Sequence, residues 1–335
     1  MNIVYTLIIL CVLVLVHEFG HFAVAKLNGI YVEEFSIGMG PKLISWGKGE
    51  TLYSVRAFPI GGFVKMVGED EASDNERAFC NKSVLSRMAV TFAGPAMNFI
   101  FAIIFFMVAF MYFGSPASNG LIGNVYPDFP AAAAGLQPGD VLVQLDDKRI
   151  DSWDDISAFM QNTQVGQQVA VGYERGGERL SAQVTLVANE EGQPVLGITQ
   201  GVARADFFAS VKRGFATTVE FTVLMLTALW QMITGQMAVE VAGPVGMVSM
   251  VGEYADVGLM YLFLFAGVLS VNLGVMNLLP IPALDGSRLV FLLVEGIRRK
   301  PIDRDKEAMV NFVGFVLLMT LMLVVTYCDI ERLIK

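Results

Sequence analysis

Three stretches of this chain, residues 2–26, 87–113 and 311–328, stay apolar long enough to cross a bilayer as helices, which takes about 20 residues. A fourth, 258–279, is equally apolar and runs into Pro280, Pro282 and Asp285. In lipid every backbone polar group must be satisfied within the protein, so this pattern commits the chain to a polytopic α-helical membrane protein of about four spans. Composition agrees: 54% of the 335 residues are hydrophobic and 16% are charged, whereas soluble domains carry about a quarter charged residues. Residues 3–16 have the length of a secretory leader's apolar core. No basic segment precedes them and no A-x-A pattern follows, so a retained span is expected. Residues 207–232 are apolar but carry Lys212, Arg213 and Glu220 in their first half, and an amphipathic helix at the interface is expected there.

With four spans, loops 27–86 and 285–307 fall on one side. The first holds Lys42, Lys48, Arg56, Lys65, Arg77 and Lys82; the second holds Arg288, Arg298, Arg299, Lys300, Arg304 and Lys306. The positive-inside rule assigns both to the cytoplasm. Residues 114–203 are of another kind, with Asp146, Asp147, Asp151, Asp154 and Asp155 among short alternating runs at 141–145, 168–173 and 182–187. Such a stretch suits one small inserted β-rich domain, placed by topology outside the cytoplasm. The expected organisation is an N-terminal membrane part at 1–113, the soluble domain at 114–203, an interfacial helix region at 204–256 and a C-terminal membrane part at 257–335. A net charge of −9 argues against nucleic acid as a partner. Cys11, Cys80 and Cys328 are too scattered for a disulfide framework or a thiolate zinc site.

The first span contains His17-Glu18-Phe19-Gly20-His21, an H-E-x-x-H pattern. On a helix His17 and His21 project from one face, one turn apart, so both imidazoles can reach one metal ion. Glu18 lies about 100° round, placed to act as a base on water at that metal. Five-letter patterns recur by chance. These, however, are the only histidines in the chain, and they sit inside an apolar span where ionisable groups are costly and functional.

Two histidines leave a tetrahedral zinc short of one protein ligand. With no third histidine the ligand is Asp, Glu or Cys. Asp285 stands out because it follows an apolar span through 277–286, where two prolines force irregular backbone that a membrane tolerates only around a cavity. A helix from Ile3 to His17 rises about 21 Å, which puts the histidines at the depth expected of Asp285. Two other readings compete with a protease: a catalytically dead scaffold, and a metal transporter whose intramembrane His and Asp line an ion path. The intact ligand set and Glu18 oppose the first, and the lack of an internal repeat opposes the second.

The combination of HEFGH, Gly61-Gly62-Phe63-Val64-Lys65-Met66, Gly94-Pro95-Ala96-Met97-Asn98 and the N-x-x-P-x-P-x-L-D-G of 277–286 resembles the site-2 protease family, in its bacterial RseP-type form. The resemblance implies an intramembrane zinc metalloprotease with one Zn2+ per chain, bound by His17, His21 and Asp285. It implies Glu18 as base and Asn277 as a residue that positions substrate or stabilises the oxyanion. It also implies a membrane-dipping edge strand at Gly62, Phe63, Val64, Lys65 and Met66 that pairs with unwound substrate. The run 134–141 followed by Ile150 resembles a PDZ domain, with Leu196, Gly197 and Ile198 in a loop that would take a peptide C-terminus, the alternative being a domain that only screens substrate size. Implied partners are single-span membrane proteins, such as a pre-cleaved anti-sigma factor or remnant signal peptides, within the bilayer of a bacterial inner membrane. About 90 residues hold one PDZ domain, where Gram-negative RseP carries two in tandem.

Overall fold

The structure, a computed structural model, describes residues 2–47, 49–69, 71–189, 191–204, 206–237 and 243–334. Lys48, Ala205 and residues 238–242 of the expected interfacial region lie outside these. The chain forms two compact units, one of Met1–Ala109 with Ala209–Lys335 and one of Phe110–Phe208. In chain order the first unit begins with α1 (Asn2–Leu27), β1 (Val32–Trp46), β2 (Leu52–Met66) and α2 (Val84–Phe113). The second contains β3 (Ser115–Pro116), β4 (Gly120–Val125), α3 (Pro130–Ala133), β5 (Val141–Leu145), β6 (Lys148–Arg149), α4 (Trp153–Met160), β7 (Gln168–Arg175) and β8 (Glu178–Thr185). It ends with β9 (Val187–Ala188), β10 (Pro194–Val195), β11 (Ile198–Gln200) and β12 (Val202–Ala203). The first unit resumes through α5 (Phe207–Ile233), α6 (Pro244–Val257), α7 (Leu259–Leu278), α8 (Asp285–Arg298) and α9 (Arg304–Ile334).

Five described helices are long and apolar enough to cross a membrane: α1, α2, α5, α7 and α9. Four were expected. The further candidate, by length and composition alone, is α5, an unbroken 27-residue helix. Lys212, Arg213 and Glu220 suggested an interfacial helix, and along it Ser210, Gly214 and Thr218 form a buried stripe of small residues, one per turn. A Cβ on Gly214 would lie 2.8 Å from the carbonyl oxygen of Ile103, so this stripe brings α5 onto α2, as small residues do between membrane helices.

Strands β1 and β2 are each bent and each serves twice. Residues 34–37 of β1 pair on one side with 62–65 of β2 and on the other with 52–55, while 42–46 return to pair with 53–56. Bends at Gly38, Gly40 and Gly61 have φ of 84°, 88° and 88°, a region that disfavours any side chain. The folded-back ribbon is pinned by Glu34, which accepts hydrogen bonds from Ser54 (2.6 Å) and Arg56 (2.9 Å) and pairs with Lys42 (2.9 Å). Burial alone would raise this carboxyl, but the donors outweigh it and hold the Glu34 pKa down to about 2. Among the described strands, nothing pairs with the outer edge of 62–66.

The Phe110–Phe208 unit is built on an antiparallel sheet of order β11-β4-β5-β7-β8, with β6 beside β5. Alternate side chains Val169, Val171 and Tyr173 of β7 join Ile122, Leu142 and Leu145 in its core. Helix α4 starts at a capping box in which Ser152 accepts from the Asp155 amide and Asp155 accepts from the Ser152 amide. The buried carboxylate of Asp140 accepts from Arg175 Nε (2.7 Å), Arg175 Nη2 (2.8 Å) and the Gln137 amide (2.8 Å). Arg175 holds the Asp140 pKa below its ordinary 3.8. A depressed carboxylate stabilises the fold above its unfolded pKa, and the contribution disappears as pH falls through the folded value. Asp140→Asn should therefore lower the stability of this unit by about 1–3 kcal/mol at neutral pH and have less effect at pH 3. Hydrogen exchange of the β5 and β7 amides in the full-length protein measures both.

Candidate metal centre

Helix α1 presents His17 and His21 on one face, with their Nε2 atoms 3.2 Å apart. Asp285, the first residue of α8, places Oδ2 3.1 Å from His17 Nε2 and 3.4 Å from His21 Nε2. That oxygen is buried yet makes no hydrogen bond of acceptable geometry. Three donor atoms of two imidazoles and a carboxylate, from residues 17, 21 and 285, thus converge. An otherwise uncompensated buried carboxylate oxygen is what a divalent cation would satisfy, and the His2Asp set suits zinc with one position left open. The irregular segment between α7 and α8 delivers Asp285. Ala283 has φ 71°, its amide donates to Asn311 Oδ1 (3.2 Å), and Ser287 Oγ donates to the Leu284 carbonyl (2.8 Å).

Close helix contact makes this possible. A Cβ on Gly20 would lie 2.3 Å from the Ala93 carbonyl oxygen, and one on Gly94 would lie 2.3 Å from His21 Nε2 and 2.9 Å from His17 Cε1. Helix α2 also supplies the outer partners of both imidazoles. His21 Nδ1 lies 2.8 Å from the Val90 carbonyl, which can only accept, so Nδ1 carries the proton and Nε2 keeps its lone pair for a metal. His17 Nδ1 lies 3.0 Å from Asn98 Nδ2, while Asn98 Oδ1 is buried without a partner. Turning that amide over, so that Oδ1 accepts from His17 Nδ1–H, gives His17 the same tautomer as His21. Sequence reasoning quoted Asn98 but assigned it no role, although a lone amide in an apolar span was the available signal.

Glu18 and Asn277 line the same cavity of about 290 Å3 as His17, His21 and Asp285. Phe63, Val64 and Met66 form its β2 wall. Gly62 approaches Glu18 so closely that a Cβ would meet Glu18 Cγ at 3.3 Å. Lys65 instead turns outward, with Nζ 2.6 Å from Glu33. Glu69 and Arg288, an ion pair, line both this cavity and a neighbouring one of about 200 Å3, and so stand between the two. Leu196, Gly197 and Ile198 are part of a different site: with Trp153, Ile156 and Met160 they line a cavity of about 730 Å3 in the Phe110–Phe208 unit. If Asn98 orients His17, Asn98→Leu should weaken zinc affinity about 10–100-fold, in the range of lost partners behind metal-bound histidines. Gly94→Ala should displace the imidazoles and lose the metal outright. Zinc content after dialysis against graded chelator tests both, and unchanged retention in either would refute this geometry.

Residues 5–321 match the profile of peptidase family M50. A predicted zinc metalloprotease of Clostridium acetobutylicum is 40% identical over 98% of this chain and 97% of its own length. The regulator of sigma-W protease RasP of Bacillus subtilis is 34% identical over 99% of both chains. The crystal structure of the PDZ domain of an SdrC-like protein from Listeria monocytogenes matches 26% of this chain and 90% of its own, at 25% identity and a TM-score of 0.24. With the family match running from the first span into the last, the chain belongs to peptidase family M50, the site-2 proteases, and is an intramembrane zinc metalloprotease.

Proposed function

We propose that this enzyme hydrolyses single-span membrane proteins inside the bilayer, with His17, His21 and Asp285 as zinc ligands and Glu18 as general base. The observation that carries the reading is the convergence of the three donor atoms in a cavity that Glu18 shares with an unpaired strand edge. What zinc supplies when bound is Lewis acidity, toward water and toward a scissile carbonyl. Glu18 takes the proton from the attacking water and returns it to the leaving amine nitrogen. Asn277 lines the same cavity, which supports a role in positioning the substrate or in donating its amide N–H to the carbonyl oxygen as charge develops there.

A helical substrate hides its peptide bonds in its own hydrogen bonds, so it must be held extended before it is cut. Residues Gly62–Met66 offer the free edge for strand addition, and Gly62 allows that edge to run against Glu18. In the soluble unit, Leu196, Gly197 and Ile198 beside α4 offer a groove for a peptide C-terminus. The basic residues of 27–86 and 285–307 support a cytoplasmic site and an extracytoplasmic PDZ-type unit. The Bacillus subtilis relative is named for regulating sigma-W. An anti-sigma factor already shortened by a first cut is accordingly one client class, and remnant signal peptides are another.

Glu18→Gln should keep zinc and reduce cleavage by at least about 10²–10⁴-fold, since the ligands survive and the base does not. Comparing membrane-protein fragments in cells with the two enzymes would also reveal the client. Near-normal turnover by the variant would refute the mechanism. Strand addition has its own signature. With Lys65→Cys in a background lacking Cys11, Cys80 and Cys328, single cysteines walked along the substrate span should cross-link at every second position, whereas a helix would give a spacing of three and four. The helical spacing would exclude strand addition and leave the zinc chemistry standing.

A further inference from the structure

Helix α8 has its surfaces reversed relative to a helix in water. Its charged residues face the protein: Arg288 pairs with Glu69, and Glu295 pairs with Arg87. Its outward stripe is apolar, with Val290, Leu293, Val294 and Ile297 at spacings of three, four and seven residues, all exposed, Ile297 at 75%. At 14 residues it is about 21 Å long, too short to cross a hydrocarbon core of about 30 Å. The stripe continues onto the spanning helix α2. Met88, Ala89 and Phe92 join Leu289, Val290 and Leu293 around a mainly apolar groove of about 430 Å3. The stripe is thus continuous with the exposed face of a helix long and apolar enough to cross a membrane. At the C-terminal end of α8 the chemistry changes abruptly. Arg298, Arg299 and Lys300 are consecutive, all exposed, and have no ion-pair partner among the described residues.

We propose that α8 is an interfacial helix whose stripe Val290, Leu293, Val294 and Ile297 is seated in acyl chains and whose Arg298, Arg299 and Lys300 bind the headgroups of anionic phospholipids. Apolar burial supplies the attachment, and the three cations supply headgroup selectivity, each worth roughly fivefold near an anionic surface. Because Asp285 is the first residue of the same helix, the lipid contact at one end bears on the position of a zinc ligand at the other.

The test uses the full-length protein in nanodiscs of phosphatidylcholine with 30% phosphatidylglycerol, with bimane on Ile297→Cys in the cysteine-free background. The label should be quenched by doxyl-labelled lipid and protected from iodide, while a control label on Asp147→Cys should show the reverse. Quenching of the 297 label by iodide would place α8 in water. Protection from both quenchers would mean a protein surface covers it. Either result overturns the proposal. For the headgroups, protein purified in detergent should retain phosphatidylglycerol over phosphatidylcholine by at least about tenfold, as read by native mass spectrometry. The Arg298→Gln, Arg299→Gln, Lys300→Gln variant should retain less than about a twofold preference with its zinc content unchanged. Equal retention of the two lipids by the unmodified protein, or undiminished selectivity in the variant, overturns the assignment of the basic triplet.

Discussion

Two imidazoles and a carboxylate can meet at one point within a membrane only if the helices carrying them come closer than side chains ordinarily allow. Helices α1 and α2 achieve this at Gly20 and Gly94, where the backbone of α2 lies against the histidine face with no room for a methyl group. The same approach brings the Val90 carbonyl and the Asn98 amide within reach of the outer imidazole nitrogens. Helix α7 is drawn in the same way: Ser270 donates to the Asn98 carbonyl at 2.7 Å, and Gly267 and Gly274 take the rings of Phe106 and Phe99. Lipid offers no hydrophobic force between helices, so close packing and a few polar contacts must hold the assembly together.

The hairpin solves a second problem under the same constraint. A strand edge beside the His17–His21–Asp285 cavity must stay unpaired if it is to receive substrate as proposed, yet unpaired backbone in an apolar setting is costly. Folding β1 and β2 back on themselves satisfies the inner segments 34–37 and 52–55 on both sides and leaves 62–66 and 42–46 as the outer edges, and the Glu34 cluster with Ser54, Arg56 and Lys42 locks the bends in place. Of these two outer edges, 62–66 is the one that lines the cavity.

The chemistry was more legible in the sequence than the packing was. His17 and His21 announce themselves because helical periodicity fixes their relation, and Asp285 follows from a valence those two cannot fill. Asn98 signalled itself only as a lone amide in an apolar span, and its partner could not be read because it lies 81 positions away. Helix α5 was read through its charges, Lys212, Arg213 and Glu220, while the stripe of Ser210, Gly214 and Thr218 carried the information on where it packs. The doubled use of β1 and β2 was invisible because glycine permits a sharp bend without announcing one. The reversed surfaces of α8 become evident only once Arg288 and Glu295 are seen to have inward partners.

The ligands also come from opposite ends of the chain. His17 and Asp285 are 268 residues apart (285 − 17), with the whole Phe110–Phe208 unit between them. During synthesis the first span enters the membrane carrying its two histidines and Glu18, but the third donor does not yet exist. With His17, His21 and Asp285 as the proposed ligands, a partly made chain could not assemble the His2Asp centre and could not attack the other nascent helices around it. On that assignment, the order of the ligands along the polypeptide would impose a period of inactivity that ends only when nearly all of the protease has been made.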